Sequence, residues 1–501
     1  MFGEVGNSGD IRDPLPVDGI IQLHRSKRGR GVRQRAESRH NIGKFHPYNR
    51  LPHNLSVTFG ERGTIKMQIS MTSRSRSPHK IRDIERTVLP NGVRVVTERM
   101  PHVRSISVGV WIGTGAREET LEETGISHFI EHMLFKGTKN RSAEQIARSV
   151  DSIGGGLDAF TSKELVSYNV KVLDEHLPHA FGIVSDLVRN PLFEKGDIEK
   201  EKGVILEELK MDVDNPEYLI HEIFASNFWK GHSLGRPILG TRQTIRSFDR
   251  DSVERYYRRY YTPQNILITA AGSLTHKKLV HLAEEHFGGL KGRALPKADS
   301  RPRPHAPLVF REKNSLEQVH LYLGVPSISM PHRERFACYI LNAILGGGMS
   351  SRLFQNIREK QALAYTVYSE LTMYHDAGCM MVYAGTSPKS AGKVIDSIVH
   401  EMRQITDHLV TPEELRRAKD HLKGSFVLGL ESTSSRMGNL ARQELYFQRF
   451  FSLDEMLESI EKVTADDVQK LAQQFFDPQQ TAVAMLGRLE GFRVRRQDLE
   501  G

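Results

Sequence analysis

The sequence predicts an α+β protein of two homologous domains, each a mixed, largely antiparallel sheet layered against helices. Three observations support this fold class. The chain of 501 residues exceeds what one hydrophobic core usually organises, so two or more domains are expected. Strand-like and helix-like patterns alternate along two separate stretches, with a proline-rich segment between them. Each stretch begins with the same order of elements, a strand followed by an apolar helix.

Composition and charge exclude one class of function. The residues are 38% hydrophobic and 26% charged, as in ordinary globular enzymes. The formal net charge is +9, and much of the excess lies in one run from Arg25 to Arg39. That run lacks the aromatic side chains on which single-strand binders stack bases, and a basic run alone gives only weak, salt-sensitive attraction. We therefore expect no nucleic-acid partner.

Neither a membrane segment nor a disulfide framework is expected. No apolar run approaches the length that spans a bilayer, and the first residues include acids and lack the apolar core of a secretory signal. Cys338 and Cys379 fall in apolar patterns and are interpreted as buried thiols. The predicted location is the cytoplasm, and import into an organelle through the arginine-rich stretch is the less favoured alternative.

The first structural element is expected near Arg86. Residues 1–85 are polar, show no sustained period and are predicted to form a disordered, basic extension. Met67 or Met71 would be the true start if that extension is translated upstream sequence. The N-terminal domain is assigned to residues 86–296, and it opens with two strand patterns around a Pro-Asn-Gly turn signal.

A second break divides the chain where KGRALPKADSRPRPHAP carries four prolines and few apolar residues. We assign residues 297–308 to a linker, 309–490 to the C-terminal domain and 491–501 to a tail. The strand EQVHLYLGV and the helix RERFACYILNAIL repeat the order of SISVGVWIG and GISHFIEHMLF in the first domain. This shared order predicts that the domains are distant copies of one fold.

The helix GISHFIEHMLF carries the first candidate site. In an α-helix His128 and His132 lie about 40° apart around the axis, so both imidazoles can reach one metal ion. Glu131 is displaced by about 60° from His128, where it can contact a water molecule at the ion without being a ligand. This is the inverted His-x-x-Glu-His pattern of zinc peptidases, with Glu131 as general base. The alternative is a pair of hydrogen-bonded core histidines.

A catalytic zinc needs a third protein ligand, and an acidic helix offers one. The segment DIEKEKGVILEELKMDVDNP opens with Asp197 as a candidate N-cap and closes before Pro216. Glu201 and Glu208 are seven residues apart and fall within about 20° on one helix face, where burial is costly without cations. We predict Glu208 as the third ligand of one zinc ion per chain and Glu201 as a carboxylate that orients the site. The alternative is an exposed acidic helix.

The two segments together resemble a known family. HFIEH and VILEEL, with Glu208 lying 76 positions after His132, resemble the pitrilysin/insulinase family of inverzincin zinc metallopeptidases. The chain is most similar to the mitochondrial-processing-peptidase-like branch, which includes bacterial two-domain members, over about residues 88–490. The resemblance implies half of a clam-shell chamber, in which the N-terminal domain carries the zinc site and the C-terminal domain is inactive.

Two further segments give expectations through the same resemblance. GGGLDAFTSKELVSYNVKV resembles the family's edge strand, which holds peptide by β-augmentation, and implies substrate-binding roles for Asp158, Ala159 and Phe160. Asp158 departs from the usual asparagine. GGGMSSRLFQNIREKQALAYTVYS resembles the segment that supplies an arginine and a tyrosine, here Arg358 and Tyr365, to grip substrate carbonyls and stabilise the oxyanion. Without the resemblance, the three glycines would be interpreted as a helix-ending loop and Tyr365 as a core residue.

The function predicted from these residues is a zinc-dependent endopeptidase that cleaves short or unfolded polypeptides in a closed chamber. By the resemblance, the chamber closes when two chains meet, so a homodimer is expected in which the partner supplies Arg358 and Tyr365. The main alternative is a non-catalytic scaffold or partner subunit of the same family. Such chains typically lose ligand residues, whereas the predicted ligands and base are all present here.

Overall fold

The computed structural model describes residues 82–293 and 301–500 of the chain. The predicted extension up to residue 81 and the first part of the predicted linker lie outside the described residues. The first described strand starts at Ile84, slightly before the predicted Arg86, and it pairs antiparallel with the strand after the turn.

The first half of the described chain is a mixed sheet with helices. Its strands are β1 (Ile84–Val88), β2 (Arg94–Arg99), β3 (Ser105–Ile112), β4 (Gly156–Thr161), β5 (Val166–Leu173) and β6 (Ile266–Gly272). Its helices are α1 (Ile126–Leu134), α2 (Ala143–Asp151), α3 (Leu177–Arg189), α4 (Lys195–Asp214), α5 (Pro216–Phe228), α6 (Arg242–Ser247), α7 (Arg250–Tyr260) and α8 (His276–Phe287). The strand order is β1-β2-β6-β3-β5-β4, with only the β2 and β6 pair parallel among these described strands.

The second half has the same topology. Its strands are β7 (Leu308–Glu312), β8 (Val319–Ser327), β9 (Ala364–Met373), β10 (Gly378–Thr386) and β11 (Ala482–Gly487). Its helices are α9 (Arg335–Leu345), α10 (Ala391–Asp407), α11 (Pro412–Gly429), α12 (Thr433–Arg442), α13 (Leu453–Glu461) and α14 (Ala465–Phe475). The order β7-β11-β8-β10-β9 matches β2-β6-β3-β5-β4 strand for strand, including the one parallel pair in each. The predicted duplication of the fold is therefore confirmed.

Each sheet packs against a helix contributed by the other half. Met437 and Leu440 of α12 are buried with Trp111 of β3 in one apolar cluster. In return, α5 packs on the second sheet, where a Cβ at Gly324 would lie 2.2 Å from the Phe224 ring, so only glycine permits this close approach. Because each half buries an apolar face of the other, residues 82–293 and 301–500 pack as one compact unit.

Two local expectations are corrected by the structure. The acidic helix starts at Lys195 with Glu194 as N-cap, so Asp197 lies in the first turn, where its negative charge favours the helix N-terminus. The segment after residue 490 is not a free tail, since Val494 and Leu499 are buried against the second half. Within residues 82–293 and 301–500, no helix combines the length and apolar character that crossing a membrane requires.

Candidate active site

The helix α1 presents three of the predicted site residues beside a buried apolar stripe. That stripe consists of Ile126, Phe129, Ile130, Met133 and Leu134. The helix begins after Gly125, whose φ of 95° and whose closeness to Gly240 leave no room for a side chain. The buried carboxylate of Glu119 accepts hydrogen bonds from the backbone N–H groups of Gly125 and Ser127, at 2.8 and 2.9 Å. The start of α1 is thereby held in place.

Three predicted ligands converge between α1 and α4. One ligand atom from each of His128, His132 and Glu208 lies within 4.8 Å of the others, and His132 Nε2 is 3.5 Å from Glu208 Oε2. His128 Nδ1 and Glu208 Oε2 are buried without a hydrogen-bond partner among the described residues. Buried polar atoms are normally satisfied, and two imidazoles with one carboxylate are a common zinc ligand set. The residues therefore fit a zinc ion.

The protonation states of His128 and Glu201 also favour a cation between α1 and α4. Burial, reinforced by the neighbouring His132, lowers the pKa of His128 to about 3, so its ring is neutral, as a metal ligand must be. Glu201 Oε2 lies 3.1 Å from His132 Nδ1, and Glu201 Oε1 lies 2.6 Å from Lys136 Nζ. Burial opposes ionisation of Glu201, but these contacts outweigh it and lower its pKa. A carboxylate bound at Nδ1 would leave His132 Nε2 free to face a metal ion.

Glu131 lies next to the predicted ligands on helix α1, and its carboxylate forms a hydrogen bond with strand β4. Its Oε2 accepts a hydrogen bond of 2.6 Å from the hydroxyl of Thr161, the last residue of β4. Burial raises the pKa of Glu131 to about 6, although the bond from Thr161 and the nearby His132 act in the opposite direction. The carboxylate is therefore ionised at neutral pH and has the affinity for a proton that a general base needs.

The predicted substrate strand lies at the outer edge of the first described sheet, beside α1. Asp158 is exposed, whereas Ala159 and Phe160 are partly buried. The Phe160 ring packs edge-on against Trp111, with 5.8 Å between the ring centroids. An edge strand presents backbone N–H and C=O groups that can pair with an added strand.

Arg358 and Tyr365 lie in the second half of the described chain, whereas the three predicted ligands lie in the first. The Arg358 guanidinium stacks 5.0 Å from the centre of the Tyr365 ring, and Tyr365 is 75% exposed at the start of edge strand β9. The core position that local sequence favoured for Tyr365 is wrong, because the ring lies at an open sheet edge. Within the described chain, no hydrogen bond or ion pair joins this pair to His128, His132 or Glu208.

Three residues at the site were not predicted. Thr161 shares a strand face with Ala159, so period-two alternation could have identified it. Lys136 follows His132 by four positions, a spacing that places side chains together on a helix. Glu119 lies in a loop, and no local pattern connects it with the start of α1.

The chain is similar to proteins of one peptidase family. A family model described as insulinase (peptidase family M16) matches residues 94–242, and a model of the M16 inactive domain matches residues 247–422. A Bacillus subtilis (strain 168) protein called uncharacterized zinc protease YmxG is 40% identical over 393 residues, covering 78% of this chain and 96% of that protein. A Streptomyces coelicolor protein with the same description, SCO5738, is 39% identical, covering 84% and 93%. The crystal structure of a protease from Helicobacter pylori has a TM-score of 0.75 at 24% identity, covering 81% of this chain and 99% of its own.

Proposed function

The chain belongs to peptidase family M16, the insulinase family, and from this premise we propose that it is a zinc-dependent endopeptidase of short or unfolded polypeptides. The observation that carries the proposal is the convergence of His128, His132 and Glu208, with the Glu131 carboxylate beside them. Three protein ligands would leave a coordination position open for water, as in catalytic rather than structural zinc sites. The helix α9, the counterpart of α1 in the second half, contains neither histidine nor glutamate.

The chain's own residues divide the chemistry among them. A zinc ion bound by His128, His132 and Glu208 would lower the pKa of a water molecule towards about 7 and polarise the scissile carbonyl. Glu131 accepts the proton of the attacking water and delivers it to the leaving amine. One Glu131 oxygen is held by Thr161, which leaves the other for this transfer.

The edge strand β4 is proposed to bind substrate as an additional strand. A peptide aligned along β4 would run past α1 in extended form, with its main chain hydrogen-bonded to the strand. Only a polypeptide without its own fold at the cleavage site can adopt this form, so folded proteins are excluded. Asp158 and Phe160 would contact substrate side chains, and Arg358 and Tyr365 would bind carbonyl oxygens.

Metal removal tests this proposal directly. The purified chain is incubated with a diverse set of internally quenched peptides, with and without a chelator, while bound zinc is measured. We expect cleavage that the chelator abolishes and zinc restores, with one zinc ion per chain; magnesium should not restore it, because this nitrogen-containing ligand set suits zinc better. Stoichiometric zinc with no cleavage of any peptide would instead favour the non-catalytic scaffold or partner subunit.

We also propose a homodimer in which each chain completes the other's site, because no hydrogen bond or ion pair among the described residues joins Arg358 or Tyr365 to the proposed ligands of their own chain. Glu131→Gln and Tyr365→Phe variants should each lose activity when pure. Equal mixing, with subunit exchange, should restore about a quarter of wild-type activity, since half of the dimers become mixed and each mixed dimer holds one intact site. If Tyr365 acts within its own chain, the mixture stays as inactive as its components.

A further inference from the structure

The hydroxyl of Thr161 occupies a defined place beside the proposed base. Side chains of a strand point alternately to its two faces, so Thr161 shares a face with Leu157 and Ala159. Those two residues pack into the same apolar core as the buried stripe of α1. The face of β4 that carries Thr161 is therefore the face that meets α1, and its hydroxyl reaches Glu131 Oε2 at 2.6 Å. A hydroxyl bound to a carboxylate at this distance is a strong, charge-assisted bond.

Building on the proposed function, we propose that Thr161 is a positioning residue whose hydroxyl fixes the Glu131 carboxylate in its working orientation. The free carboxylate of a glutamate rotates about several bonds. Here the negative charges of Asp158 and Glu208 both disfavour the charged form of Glu131, so a hydrogen-bond donor at its carboxylate stabilises that form. The hydroxyl restricts the rotation of the side chain by binding one carboxylate oxygen, and the second oxygen then points to a single place.

The end of β4 is anchored well enough to hold Glu131 still. The backbone N–H groups of Ala116 and Arg117 donate to the carbonyls of the two residues that follow Thr161, at 3.1 and 2.8 Å. One residue further on, Glu164 is 7% exposed and accepts hydrogen bonds of 2.8 Å from Arg117 and from Tyr446 of the second half. Thr161 is therefore fixed by both halves of the chain, and it also belongs to the strand proposed to receive substrate. A peptide bound along β4 would therefore lie on the same strand that contacts the proposed base, Glu131, through Thr161.

The test compares two substitutions at Thr161. Thr161→Val keeps the branched shape and the strand preference but removes the donor, so we expect kcat to fall roughly 10- to 100-fold. KM and zinc content should stay at wild-type values, because the backbone of β4 and the three ligands are untouched. Thr161→Ser restores the hydroxyl and should recover most of the lost kcat.

A matched control and a structural measurement complete the test. Thr97→Val removes a buried hydroxyl from β2 of the same sheet, where Thr97 lies 2.9 Å from Nδ1 of His276 on helix α8. The kcat of this variant should not change. In crystal structures, the Glu131 side chain should adopt one rotamer in the wild type and in Thr161→Ser, and several rotamers in Thr161→Val.

The inference is wrong if Thr161→Val retains wild-type kcat, if Thr161→Ser is equally impaired, or if only KM rises. A single, unchanged Glu131 rotamer in Thr161→Val also overturns it. If the wild type cleaves no peptide, the proposed peptidase function fails, and the crystal structures alone then decide whether Thr161 orients Glu131.

Discussion

Glu131→Gln should abolish peptide cleavage and leave one zinc ion bound per chain. Glutamine fills nearly the same volume and can still bind the Thr161 hydroxyl through its amide oxygen, so the local packing is retained. It cannot accept a proton at neutral pH, and a positioned general base typically contributes about 10²- to 10⁴-fold to the rate. We expect kcat to fall by at least that factor, measured with quenched peptides, while elemental analysis finds zinc at wild-type content.

Glu144→Gln is the matched control for this variant. Glu144 is on the neighbouring helix α2, where its carboxylate forms an exposed ion pair with Arg148. Its replacement removes one negative charge from the same half of the chain without touching the site, and cleavage should be unchanged. Loss of zinc from Glu131→Gln would contradict a pure base role, because it would place Glu131 among the ligands.

Glu208→Ala should lose both zinc and cleavage. An outer carboxylate that orients a ligand is typically worth about 10- to 100-fold in metal affinity, and a direct ligand should be worth more than that. The Glu208 side chain is 31% exposed, so its removal should leave the thermal unfolding of the metal-free protein nearly unchanged. Zinc affinity is measured by competition with a chelator of known strength, and cleavage with the same peptides.

The adjacent residue supplies the control for this second variant. Glu207 is one position away on α4, but its side chain is 68% exposed and pairs with Lys210. Glu207→Ala therefore removes the same charge from the same turn of helix, and both zinc affinity and cleavage should stay at wild-type values. Retention of tight zinc by Glu208→Ala would remove Glu208 from the ligand set and leave the third ligand to be found.

The spacing of residues along the chain was sufficient to predict much of the fold and of the candidate site. Apolar positions at helical spacing located α1 and placed His128 and His132 on one side of it, because an α-helix has the same period wherever it lies in the protein. The acidic helix was found from its boundary signals, although its N-cap was predicted three positions late, at Asp197 instead of Glu194, since capping depends on backbone angles. The strand patterns also indicated the duplication that the matched sheet orders confirm.

Other features depend on elements that are distant in the chain. Glu208 approaches His132 only because α4 packs beside α1, and Thr161 reaches Glu131 only because β4 lies at the sheet edge next to that helix. Tyr365 has a pattern typical of a core residue and is exposed, since β9 has no neighbour on one side within the described sheet. The order of residues was thus enough to predict which side chains share a turn of helix or a strand face, because those periods are set by local backbone geometry. Which of these faces meet was decided by tertiary packing, since the contacts that bury them join residues far apart along the chain.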